Sequence, residues 1–228
     1  MKYFAFIILL LITAPAFSQQ ISYPDWKKKA ETQINLQPEY GNVSKSKEQL
    51  EEDRQFIETV LKQDTIRRKG SEHLVKLGFT YLYRGDLETA MKRFNQAWLL
   101  DPKNENAYWG YAAVYFSFND LTEASRQLDK GLLLNPKSSN ILTDKATIYL
   151  AGYMNSRSTA DLVKAIEVFH QSYKIDPFNQ NTLFKLSAAY FYSKDCTNAW
   201  KYYNECVKLG GQPITNEYTE ALKAQCKM

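Results

Sequence analysis

The side chains able to do covalent or acid–base chemistry are few in this chain and poorly spaced for it. His73 and His170 stand far apart, nowhere near the i, i+4 spacing that puts two imidazoles on one metal ion. Glu51, Glu52 and Asp53 are consecutive, so on a helix they point in different directions and read as a solvated face. Neither a glycine-rich phosphate loop nor a serine-nucleophile elbow occurs. Three cysteines, Cys196, Cys206 and Cys226, lie late in the chain. Cys196 and Cys206 fall within one helical pattern, about 15 Å apart at ~1.5 Å per residue, too far to bond each other. These residues predict no catalytic site, no metal and no cofactor. Aromatic side chains make up 14% of the chain, and their chemistry is recognition: large contact area with few torsions to freeze.

The elements that would position those rings follow from composition and pattern. The chain has 228 residues, 44% of them apolar and 24% charged, with only nine glycines and seven prolines. That suits an all-helical chain better than a turn-rich sandwich. The net charge of +4 is mild. The basic runs Lys27-Lys28-Lys29 and Arg67-Arg68-Lys69 are short, so no nucleic-acid face is expected. At the N-terminus Lys2 precedes an apolar run over residues 4–12, too short to span a bilayer comfortably. Ala16-Phe17-Ser18 then places small residues three and one positions before a cut at Gln19. This is the pattern of a secretory signal peptide over 1–18. It predicts an exported protein, periplasmic or secreted, with no membrane span after cleavage.

Residues 71–104 carry the organising pattern: two amphipathic helices joined by a turn at Arg84-Gly85-Asp86. Leu74, Leu77, Gly78 and Tyr81 form one apolar row, and Ala90, Phe94, Ala97 and Leu100 the other, with small Gly78 set to face Ala90 and Ala97. Pro102 closes the unit, because proline cannot continue a helix. The register returns over 105–138 (Tyr108, Tyr111, Ala112, Tyr115, Ala124, Leu128, Gly131), with Pro102 and Pro136 34 residues apart. It continues over 139–179 and 180–213. These residues resemble the tetratricopeptide repeat family, whose signature runs W-x2-L-G-x2-Y, A-x3-F, P. Gly78, Tyr81, Ala90, Phe94 and Pro102 match it, and Leu74 takes the Trp place. The resemblance implies an all-α, right-handed superhelical solenoid over 71–213. Residues 19–45 read as irregular, with a short helix possible over 25–36, and 46–70 as an N-terminal capping helix and connection opened by a Ser46/Gln49 capping box. The third repeat carries seven extra residues, expected as an exposed loop near 152–158, and 214–228 reads as a C-terminal capping helix.

In this family the first helix of each repeat lines a concave groove. The corresponding positions here hold Phe79, Leu82 and Tyr83; Asn106, Trp109 and Phe116; Asn140, Thr143 and Thr147; and Asn181, Phe184, Phe191 and Tyr192. The resemblance therefore implies an aromatic groove, with Trp109 the ring expected to be most available. Asn106, Asn140 and Asn181 recur at one position, where an amide either bonds the backbone of an extended peptide or caps a helix. The lysine and asparagine clamp of chaperone-binding members is absent, since Val75, Phe79, Trp109 and Ala113 stand at its places, although Lys76 and Lys185 occupy sixth positions. Cys206 falls at the family's small buried position, like Ala97 and Gly131. A final helix running back along the preceding one brings Cys226 to Cys196, which predicts a Cys196–Cys226 disulfide with Cys206 free. The function expected is a non-catalytic adaptor or scaffold of the cell envelope or secreted space, binding a partner protein or extended peptide in the groove. A glycan-binding envelope module is the alternative, because aromatic platforms also stack on sugar rings.

Overall fold

The computed structural model describes residues 21–227, so the signal segment expected at 1–18 lies outside the described residues. The elements in order are α1 (Tyr23–Ala30), two short 3-10 turns (Ile34–Leu36 and Pro38–Asn42), α2 (Lys47–Asp64), α3 (Arg67–Tyr83) and α4 (Leu87–Leu100). There follow α5 (Glu105–Ser117), α6 (Leu121–Leu134), α7 (Ser139–Ser156), α8 (Thr159–Ile175), α9 (Gln180–Tyr192), α10 (Cys196–Lys208) and α11 (Asn216–Gln225). Among the described residues there is no strand. Helices α3 to α10 form four consecutive pairs stacked one on the next, so the all-α solenoid architecture holds.

The same local chemistry repeats at each joint. Within each of the four pairs a residue in the left-handed region turns the chain: Gly85, Asn119, Arg157 and Lys194. An aspartate follows three of them, and Asp86, Asp120 and Asp195 accept the N–H three residues on, capping α4, α6 and α10; Ser158 does the same for α8. Between pairs, Asn104, Ser138 and Asn179 cap α5, α7 and α9. A cap of this kind contributes about 1 kcal/mol by satisfying a backbone donor that the helix leaves open.

Glycines set the helix spacing around one ring. A Cβ on Gly78 or Gly110 would stand 2.4 or 2.2 Å from atoms of Phe94, so α3 and α5 both close on that buried phenyl. The space expected for an approach of Gly78 to Ala90 and Ala97 is filled by Phe94. Because α3 also packs on α5, its buried row is rotated from the expected one: Ser71, Val75 and Gly78 are inside, while Leu77 is exposed.

Two stretches depart from the sequence reading. The segment taken as irregular is pinned to the array. Trp26 and Leu36 are fully buried, and burial of one such side chain stabilises by about 2 kcal/mol. Asn95 donates from Nδ2 to the carbonyls of Asn35 and Gln37, at 2.9 and 2.8 Å. Its Oδ1 accepts from the Tyr111 hydroxyl at 2.7 Å. Residues 39–42 all have positive φ, an unusual turn held by these bonds together with the Glu39 and Tyr40 N–H groups, which donate to Tyr111 and Asn95, and by Lys130, which donates to Glu39. Helix α2 packs on α3 as the expected cover, with Val60 set against Gly70 and its Ser46/Gln49 capping box formed, although none of its residues is fully buried. Residues 21–43 add a second cover over α4, with Trp26 and Leu36 fully buried.

The insert is not an exposed loop. Helix α7 continues through Ser156 and α8 begins at Thr159, leaving Arg157 and Ser158 as the joint. Leu150, Tyr153 and Leu162 supply apolar contacts that make both helices longer. At the far end, α11 lies against α9 and α10, and Cys196 and Cys226 are bonded with Cα atoms 5.2 Å apart. Cys206 is free and buried.

Candidate functional site

A cavity of about 190 Å3 opens on the face formed by the first helix of each pair. Helix α3 supplies Phe79, Leu82 and Tyr83; α5 supplies Trp109, Ala112, Ala113 and Phe116; α7 supplies Asp144, Thr147 and Ile148; and α9 supplies Lys185. The helical repeat explains the choice from α5: Trp109, Ala113 and Phe116 are separated by four and three residues, so they share one stripe. Phe79 packs on Trp109 with ring centroids 4.5 Å apart and stacks with Tyr83 at 6.1 Å. Tyr83 is 79% exposed and Phe116 43% exposed at the mouth.

The polar groups at this cavity form a short chain across three repeats. The Trp109 indole N–H donates to Asp144 Oδ2 at 2.7 Å. Lys185 Nζ donates to Asp144 Oδ1 at 3.1 Å. Asp144 thus ties α5 to α9 through α7. Thr147 Oγ1 donates to the Thr143 carbonyl at 2.7 Å and keeps its lone pairs for another donor.

The residues expected to bind divide into three groups. Phe79, Leu82, Tyr83, Trp109, Phe116 and Thr147 come together around the cavity. Phe184 and Phe191 instead meet Tyr218 of α11, at centroid distances of 5.2 and 5.9 Å. The Tyr218 hydroxyl lies 2.6 Å from Ser187 Oγ, and burial pushes its phenol up to about 12. Tyr192 packs on Tyr153 at 6.0 Å. Thr143 is buried in a hydroxyl cluster, 2.8 Å from Ser172 Oγ and 2.6 Å from Thr182 Oγ1. Asn106, Asn140 and Asn181 stand in the first turns of α5, α7 and α9, away from the cavity lining. They are not the caps, which lie two residues earlier at Asn104, Ser138 and Asn179. Asn140 Oδ1 already accepts from Asn179 at 2.9 Å, and Asn106 Nδ2 reaches only Glu105.

The two histidines sit on different elements. His73 Nδ1 lies 2.9 Å from Asp64, and His170 Nε2 lies 2.7 Å from the Tyr190 hydroxyl. Burial, with Lys201 and Lys174 nearby, holds the His170 imidazole below its ordinary value. Among the described residues, no group of three or more His, Cys, Asp or Glu side chains is placed to hold a metal ion. No helix among them is long and apolar enough to cross a membrane.

Asp144 is the site residue that position-by-position reasoning passed over. Its signal was present: Asp144 and Lys185 hold the same sixth place in neighbouring repeats, with opposite charge, and stacking brings equivalent places together.

A family model described as tetratricopeptide repeat matches residues 81–147, from the end of α3 into α7. Among solved structures, TTC0263, a thermophilic TPR protein of Thermus thermophilus, is similar in fold with a TM-score of 0.58. Identity is 16%, over 68% of this chain and 80% of that chain. A structure of MamA aligns with a TM-score of 0.48 and 20% identity, over 75% of this chain and 98% of that one. No curated protein matches the sequence.

Proposed function

We propose that this tetratricopeptide repeat protein is a non-catalytic, exported scaffold that holds an extended segment of a partner protein in its first-helix groove. The observation that carries the reading is the convergence of Phe79, Tyr83, Trp109 and Phe116 from two neighbouring repeats on one open cavity. Aromatic side chains presented on rigid helices give contact area at small entropic cost, the physics of interface hot spots. Export is supported by the apolar segment at 4–12 and by a Cys196–Cys226 bond, which suits an oxidising compartment.

Two features favour a peptide over a sugar. Stacking on a pyranose needs an open ring face, and Trp109 is covered by Phe79 on one side and tied at its N–H to Asp144. The cavity is also smaller than the ~300–1,000 Å3 typical of sites that swallow a whole small molecule. Site-specific photo-crosslinking tests the proposal. A crosslinking residue at position 83 should capture polypeptide from the exported fraction, and one at 133, exposed at the end of α6, should not. Capture from 133 alone, or recovery of glycan instead of polypeptide, would overturn it.

A further inference from the structure

The cavity has a chemistry of its own beyond being aromatic. Its walls are apolar, formed by Phe79, Trp109, Ala113, Phe116 and Ile148, and its volume of about 190 Å3 is room for a single large side chain. The charged groups on its lining, Asp144 and Lys185, face each other at 3.1 Å. Their charges cancel, so an acidic ligand drawn by Lys185 is repelled by Asp144, and a basic ligand meets the reverse. What the pair retains is hydrogen-bonding capacity. Among the described residues Lys185 Nζ has Asp144 as its one hydrogen-bond partner, and an ammonium carries three donors. Each Asp144 oxygen accepts one bond, from Trp109 or Lys185, and has a lone pair left. A donor and an acceptor standing side by side match the C=O and N–H of a peptide main chain.

Resting on the reading above, we infer that this cavity is a subsite for one bulky, uncharged side chain of an extended peptide, Leu-, Met- or Phe-sized. The Asp144–Lys185 pair holds the adjoining main chain. The occupant is an internal segment and not a chain end, because a terminal carboxylate would compete with Asp144 for Lys185. Ala113 is a small, half-buried wall residue, and a leucine there takes up much of the space an anchor side chain needs. Lys185 contributes affinity without choosing the side chain.

The test is a display selection with seven randomised residues inside a carrier protein, so that no free terminus is offered. Affinities of the enriched sequences are then measured as end-capped peptides by fluorescence anisotropy. The inference expects one fixed position occupied by Leu, Met or Phe. Replacing that residue by Ala, Asp or Lys should weaken binding at least ~10-fold. Ala113→Leu should weaken it as strongly with the helical circular dichroism unchanged, and Lys185→Met should weaken all the peptides ~10-fold while keeping their order. Should Ala113→Leu unfold the chain, Lys185→Met and the peptide substitutions decide. A fixed acidic or basic residue, or an anchor replaceable by Ala without loss, overturns the inference and leaves the groove reading standing. A folded protein that enriches nothing overturns both.

Discussion

At the level of single residues, exposure separates binding probes from structural ones. Trp109 is the ring the sequence singles out, but it is half-buried against Phe79 and hydrogen-bonded to Asp144. Trp109→Ala should therefore cost stability, about 2 kcal/mol by loss of packing, along with any loss of affinity. Tyr83 is the cleaner probe, being 79% exposed. Tyr83→Ala should stay within about 0.5 kcal/mol of wild-type stability and weaken partner binding roughly tenfold, as read by chemical denaturation beside an affinity titration. Unchanged affinity would remove Tyr83 from the site. Glu39 gives a pH-dependent case. Burial pushes its carboxyl up, but hydrogen bonds from Lys130, Asn42 and Tyr108 outweigh this and hold it below the usual carboxylate range. With the folded value below the unfolded one, protonation favours the unfolded chain. This contribution is complete at neutral pH and is lost as pH falls through the folded value. Lys130→Met removes the partner 2.7 Å from Glu39 Oε2 and should cost about 1–3 kcal/mol at pH 7, with the gap to wild type narrowing in acid. Thermal melts across pH check both signs, and a gap that widens in acid would refute the assignment.

Among the elements, the repeated helix pairs were the most legible part of the sequence, because Gly78, Phe94, Ala90 and Pro102 encode geometry through size and backbone alone. The aromatic stripe on α3 and α5 was legible for the same reason: spacing on a helix fixes direction. The segment over 21–43 was not legible, since its order comes from distant partners, Asn95, Tyr111 and Lys130, and no local periodicity announces them. The insert misread as a loop shows the same limit. Seven surplus residues suggested a loop, yet Leu150, Tyr153 and Leu162 find apolar neighbours and carry the helices onward. Excising 152–158 should accordingly destabilise the protein by about 2 kcal/mol or more, and a denaturation midpoint equal to wild type would contradict this. The rings of α9 were hidden for another reason: Tyr218 of α11 covers Phe184 and Phe191. Helix α11 is held there by the Cys196–Cys226 bond and by the Trp200 indole, which donates to the Cys226 carbonyl at 2.8 Å. Cys226→Ser should lower stability by about 3 kcal/mol and speed amide exchange over Asn216–Gln225, while α3 to α8 stay protected. Exchange unchanged in α11 would show that packing alone retains it.

The molecule as a whole assigns its faces to different tasks. Residues 21–43 cover α4 and reach α6 through Lys130, and α11 covers the end of the array, leaving the cavity between α3, α5, α7 and α9 open. With Asp144 and Lys185 cancelling each other, attraction there is short-ranged, so binding should change little with ionic strength. The four tryptophans are reporters spread over these regions: Trp26 under the N-terminal segment, Trp98 bonded to the Tyr108 hydroxyl, Trp109 in the groove and Trp200 beside α11. The most direct test is therefore a 1H–15N spectrum of the four indole N–H groups, titrated with a peptide selected on the protein. The groove account predicts that the Trp109 resonance moves with occupancy while those of Trp26, Trp98 and Trp200 stay in place. Saturable binding that shifts Trp26, Trp98 or Trp200 and leaves Trp109 unmoved would contradict it.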